Sequence, residues 1–320
     1  MPRKLAALLL ALALAACGGS GTDRPEESAT LLLDFTPNAV HAGIYLATNR
    51  GFDAAEGVRL RVRAAGASTD APRLLEADRV DMAILDIHDL GLARERGADI
   101  VGVMALVQRP LAAVLAQPSI RRPRDLEGQR AGVTGLPSDV AVLDSIVQGD
   151  GGDPERVRTT TIGFAAVKAL LARRVAAATA FWNVEGVVLG QRRPDVHEFR
   201  VDDFGAPPYP ELVLCVTRQT LDERKDVVRA AIRALQRGYS ETQADPESAL
   251  QVLRRSNAEV DEAQLDAVSP AFTAGAQAYG QLRPDVLRRW ARWDVDFGIL
   301  DAPPDVGAAF DTTLVSRQSR

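Results

Sequence analysis

Short apolar runs alternate with stretches of helical period along most of the chain. Residues 30–35, 58–63, 82–85 and 100–107 read as strands, separated by helical patterns at 37–49, 71–77 and 88–96. The alternation resumes beyond Pro110. Strands are expected at 111–117, 130–133, 157–161 and 177–181, and helices at 139–147, 164–172 and 185–191. One more apolar run, 212–216, precedes a mainly helical stretch from 221 to 293. This pattern predicts an α/β protein with largely parallel sheets.

Two apolar extended runs, 111–117 and 212–216, bracket the middle of the chain. The expected organisation is two α/β lobes joined by two crossover strands, with lobe one built from 30–110 and 211–320 and lobe two from 111–210. Paired crossings suit a hinge, and ligand pockets favour such interfaces.

The first residues follow a different pattern. Arg3 and Lys4 precede an apolar run, 5–16, too short to span a bilayer but of secretory length. It ends in Leu14-Ala15-Ala16-Cys17, followed by Gly18, Gly19 and Ser20. That ending resembles the bacterial lipoprotein signal, in which the cysteine is acylated and becomes the new N-terminus. It implies a signal peptide over 1–16, a lipid on Cys17 and a tether over 17–29, placing the protein on the extracytoplasmic face of a membrane in the cell envelope. The plainer alternative is a secretory leader cut after small residues.

Composition narrows the function. The 320 residues, 46% hydrophobic, suffice for two ordinary domains, and the balance of 38 basic against 43 acidic residues gives −5. No basic stripe marks a nucleic-acid surface. Of the two cysteines, Cys17 is committed to the leader, and Cys215 lies in an apolar run as a core thiol, so no disulfide framework is expected. His41, His88 and His197 lack metal-type spacing, and no nucleophile elbow occurs. No metal, cofactor or catalytic residue is expected.

In α/β sheets, ligands sit beyond the carboxyl ends of the strands. After the first strand come Asn38, His41 and Tyr45, either a polar and aromatic patch at the cleft or a capped helix with Tyr45 in the core. Asp86 and His88 follow the strand ending at Leu85, with Asp86 equally suited to capping a helix. Thr134 opens a Gly-containing loop whose free N–H groups can hold an anionic or carbonyl oxygen, or which is simply a capped turn. Phe181-Trp182-Asn183-Val184-Glu185 is the strongest cluster. Trp182 can stack on a flat ring, Glu185 can accept from an amino group, and Asn183 can do both. Tyr209, in the rigid Pro207-Pro208-Tyr209-Pro210 loop, either lines the rim or packs. Trp290 and Trp293 read as core.

The run Asp34-Phe35-Thr36-Pro37-Asn38, with His41, Gly43 and Tyr45, resembles the ThiY-like branch of ABC-importer binding proteins, which bind pyrimidine precursors of thiamine. "GFDAAEGVRLRV", "EADRVDMAI" and "FWNVEGVVLG" extend the resemblance through most of 31–309. It implies a type II periplasmic-binding-protein fold and a planar heterocycle held by aromatic stacking with Asn and acidic contacts. Asn38, His41, Tyr45, Trp182 and Glu185 match the contacting positions, and Phe35 stands where members often have Trp. Expected partners are an ABC permease and its ATPase, with the binding protein a monomer. Riboflavin or another small heterocycle is an alternative ligand. A pyrimidine-metabolism enzyme on the same fold is the other alternative, but the related eukaryotic synthase uses a Cys-rich motif with iron, and only Cys17 and Cys215 occur here.

Overall fold

A computed structural model of the protein describes residues 27–65 and 71–315. The expected signal peptide, Cys17 and most of the tether lie outside them. The described strands are β1 (Glu27–Leu32), β2 (Val58–Arg63), β3 (Met82–Asp86), β4 (Ile100–Ala105), β5 (Ala112–Ala116), β6 (Arg130–Val133), β7 (Arg158–Thr161), β8 (Ala177–Phe181), β9 (His197–Arg200) and β10 (Leu212–Thr217). They form two five-stranded sheets, in the orders β2-β1-β3-β10-β4 and β7-β6-β8-β5-β9. With their helices these make two α/β lobes, the fold class the sequence pattern predicts. β1 begins at Glu27, so residues 27–29 are strand and not tether.

Neither sheet is simply parallel. β10 runs antiparallel to both β3 and β4, and β5 runs antiparallel to both β8 and β9. These are the strands that receive the chain as it crosses between sheets, and each is inserted pointing against its neighbours. The start of each therefore lies beside the carboxyl ends of the flanking strands, bringing Leu111 and Glu211 to the cleft. β4 and β5 are buried along their whole length, as expected of strands covered on both faces. β9 is absent from the sequence expectation because His197, Glu198 and Arg200 flank its single buried residue, Phe199, at the sheet edge.

The helix Ala42–Asn49 packs against the long helix Lys225–Ala244 through two glycines. A Cβ added at Gly238 would overlap the carbonyl oxygen of Gly43, and one at Gly43 would enter the ring of Tyr239. The Tyr239 hydroxyl donates to Val40 O at 2.7 Å, so this crossing also fixes the turn that leads from β1. Gly238→Ala should cost about 1–3 kcal/mol through overpacking. Thermal melts would test this; an unchanged melting temperature would contradict the tight crossing. Among the described residues, no helix is long and apolar enough to cross a membrane.

Candidate functional site

The carboxyl ends of β1 and β3 face those of β6, β7 and β8 across a pocket of about 910 Å³, its open mouth included. Of the residues expected at the site, Phe35, Asn38, Asp86, His88, Thr134, Asn183 and Glu185 line it. His41, Tyr45, Trp182 and Tyr209 do not.

From lobe one, β1 runs out into Asp34, Phe35 and the turn capped by Asn38. Asn38 Oδ1 accepts from Val40 N at 3.0 Å, so the residue caps its helix and lines the pocket at once. His41 sits behind it, fully buried. Its Nδ1 accepts from Asn38 N at 3.1 Å, which leaves Nε2–H to donate to Asp34 Oδ1 at 2.8 Å. His41 thus aims Asp34 into the pocket without touching it. Tyr45 faces away, packed on the core and hydrogen-bonded to Ser256.

Asp86 and His88 form the floor with Glu211. Asp86 Oδ1 accepts from His88 N at 2.8 Å, so the capping reading of Asp86 holds alongside its place in the pocket. Glu211 Oε2 accepts from Leu111 N at 2.6 Å and Ala112 N at 3.3 Å, joining the end of one crossing to the end of the other. Burial pushes Glu211 up to about 7, and burial raises Asp86 well above the carboxylate range. Two adjacent buried carboxyls cannot both ionise cheaply, which favours one proton shared between them. Burial alone would lower His88, but Asp294 and Asp86 raise it to about 9. His88 Nδ1 lies 3.0 Å from Asp294 Oδ2 and 3.3 Å from Trp290 Nε1, and Nε2 meets the Tyr209 hydroxyl at 3.2 Å. Tyr209 therefore lies behind the floor and not at the rim. Asp86, His88 and Glu211 have ligating atoms within 4.8 Å of one another, with the imidazole nitrogens in contact with Asp294 and Tyr209.

Lobe two supplies the opposite wall. Thr134 N and Gly135 N donate to Asp139 Oδ2 at 2.6 and 3.2 Å. The Thr134 hydroxyl bonds the same oxygen. The loop expected to offer free N–H groups to an anion has filled them with its own carboxylate. β8 ends in a π-helical turn, Trp182–Gly186. Phe181, Asn183, Val184 and Glu185 face the pocket. Trp182 points the other way, 2% exposed, with Nε1 donating to Pro110 O at 2.9 Å and the Arg200 guanidinium 4.1 Å above its ring. The stacking role expected of Trp182 has no basis in this geometry; the ring braces a crossing segment. Glu185 Oε2 accepts from Phe181 N at 3.2 Å, and burial raises its carboxyl.

Phe164 was not anticipated. It follows β7, is 59% exposed, and meets Phe35 of the other lobe with ring centroids 5.4 Å apart. Glu211, Asp139 and Asp34 complete the acidic lining. Asp34, Asp86, Asp139, Glu185 and Glu211 all line the pocket, and none of the described residues lining it is Lys or Arg.

Comparison with known proteins yields consistent matches. The profile of the family described as NMT1/THI5 like matches residues 38–249. A formylaminopyrimidine-binding protein of Halalkalibacterium halodurans is 33% identical over 256 residues, spanning 78% of each chain. A 4-amino-5-hydroxymethyl-2-methylpyrimidine phosphate synthase of Legionella pneumophila is 22% identical over 293 residues, 89% of this chain and 91% of its own. The periplasmic aliphatic sulphonate binding protein SsuA of Escherichia coli superposes with a TM-score of 0.71 at 12% identity, covering 92% of this chain and 95% of that one.

Proposed function

The chain belongs to the NMT1/THI5-like family, and on that premise we propose that it is the extracytoplasmic solute-binding component of an ABC importer for a pyrimidine precursor of thiamine, of the formylaminopyrimidine kind. The observation that carries this reading is the pocket's charge. Five carboxyl groups and no guanidinium or ammonium line it, so it suits a neutral or cationic ring rich in N–H donors. A sulfonate or a phosphate ester would meet these five carboxyl groups against a single imidazolium, His88, which Asp294 and Asp86 already balance. Phe35 and Phe164 give such a ring apolar surface to lie against.

The chain captures its solute without converting it. The formylaminopyrimidine-binding relative supports this, and Cys215, buried in β10 with its thiol driven far up, is itself no nucleophile. The leader supports a protein exported and held to the membrane by a lipid on Cys17; on this reading the chain acts as a monomer that delivers its solute to a permease and ATPase.

Thermal melts with formylaminopyrimidine, its phosphate-bearing pyrimidine relatives and riboflavin test the assignment. A ligand present at 100 times its Kd should stabilise the chain by about 2.7 kcal/mol. The formylaminopyrimidine should raise the melting temperature and be recovered unchanged; the phosphate ester should not shift it. A shift with riboflavin alone, or with the phosphate ester alone, would overturn the assignment.

A further inference from the structure

Two buried polar side chains on the lobe-two wall have no protein partner. Asn183 is 0% exposed, and neither its Nδ2 nor its Oδ1 is within hydrogen-bonding reach of a protein group. Thr179, 3% exposed, has an unpartnered Oγ1. Both line the pocket, one from β8 and the other from the π-helical turn that follows it. Other polar groups around them are engaged: Asp34 by His41, Asp139 by the Thr134 loop, and Glu211 by Leu111 and Ala112. A buried amide with neither end met is costly, and native interiors keep few of them. Leucine has nearly the same shape and would carry no such cost, so packing does not account for the amide.

We propose that Asn183, supported by Thr179, is the specificity-determining subsite for a ligand edge that carries a hydrogen-bond donor beside an acceptor. The assignment rests on the pyrimidine-binding reading above and deepens it. A side-chain amide presents C=O and N–H side by side, so its complement is an amide or amidine edge. A carboxylate or phosphate, which only accepts, can satisfy one end of Asn183 and not the other. The Thr179 hydroxyl donates or accepts as the neighbouring ligand atom requires. Two edges of a formylaminopyrimidine fit: its formylamino group in the cis rotamer, which sets N–H beside C=O, and a ring nitrogen beside an exocyclic amino group. Discrimination should be sharp, because a ligand lacking the edge leaves the amide unmet in the bound state.

Calorimetric titration separates these edges. Wild type, Asn183→Leu and Asn183→Asp are each titrated with formylaminopyrimidine, with its analogue methylated at the formylamino nitrogen, and with its analogue lacking the ring amino group. Both variants should bind the parent at least fivefold more weakly. That loss should vanish for the one analogue that lacks the edge read by Asn183, and this identifies the edge. A loss under fivefold, or an equal loss for all three compounds, overturns the subsite while leaving the function standing. Failure of the wild type to bind any of the three overturns the functional reading, and the subsite with it.

Discussion

His88→Leu is expected to destabilise the ligand-free chain by about 3–5 kcal/mol, because it strands a buried charge. His88 is 1% exposed, and its two nitrogens hold the carboxylate of Asp294, itself fully buried, and the hydroxyl of Tyr209. Leucine fills the space but leaves both partners unmet. For a chain of 320 residues that corresponds to a melting temperature lower by roughly 4–8 °C. The pH dependence follows from the raised imidazole. Its pKa goes from 6.5 to about 9 in the folded chain, so the stabilisation is complete below about 6.5 and is lost as pH rises through 9. The deficit of the variant should therefore be widest at pH 6 and narrow toward pH 10. The double variant His88→Leu with Asp294→Leu should recover most of the loss, since an apolar pair can replace a buried ion pair at little cost. Urea melts of the three proteins across that range would check this. Equal deficits at pH 6 and pH 10 would show that His88 is neutral in the native chain.

The strand ends were legible in the sequence because each is an apolar run closed by polar residues. That is why Asn38, Asp86, Thr134, Asn183 and Glu185 were all candidates and all line the pocket. What local sequence does not encode is the direction of a side chain at an irregular turn. Trp182 looks like the stacking residue because it is large and sits at a strand end, yet the π-helical turn swings Asn183 and Glu185 inward and Trp182 behind. Tyr209 and His41 failed as direct contacts for a related reason. Each buries a polar atom against a partner, and their effect reaches the pocket through His88 and Asp34. Phe164 was invisible because its partner Phe35 lies in the other lobe, and only the pairing of the two lobes gives an exposed loop phenylalanine a purpose. Glu211 was missed because its task is set by the backbone N–H groups of Leu111 and Ala112, far away in sequence.

Glu211 gives the second large expected effect, on the acid side of neutrality. Burial raises this carboxyl from 4.5 to about 7, beside an Asp86 that burial also raises. The folded chain therefore holds a proton that the unfolded chain has released. This contribution to stability is complete below about 4.5 and is lost as pH rises through about 7, amounting to about 3 kcal/mol for a shift of that size. His88, Asp89, Tyr209 and Asp202, the last paired with Arg109, surround the two carboxyls and set the charge they feel, with Asp294 behind His88 and Tyr209. Glu211→Gln reproduces the protonated state, since the amide oxygen can still accept from Leu111 and Ala112 while its N–H₂ donates to Asp86. The variant should melt higher than the wild type at pH 8 and lose the slope between pH 4.5 and 7. Glu211→Ala should be the least stable of the three at every pH, because two buried backbone donors lose their acceptor at about 1–3 kcal/mol each. The same proton sits in the pocket floor, so wild-type affinity for an N–H-rich ligand should strengthen above pH 7 and stay level in Glu211→Gln. A wild-type stability curve that is flat from pH 4.5 to 7, or a Gln variant that keeps the wild-type slope, would mean that both carboxyls are ionised and that the crossings are joined without a shared proton.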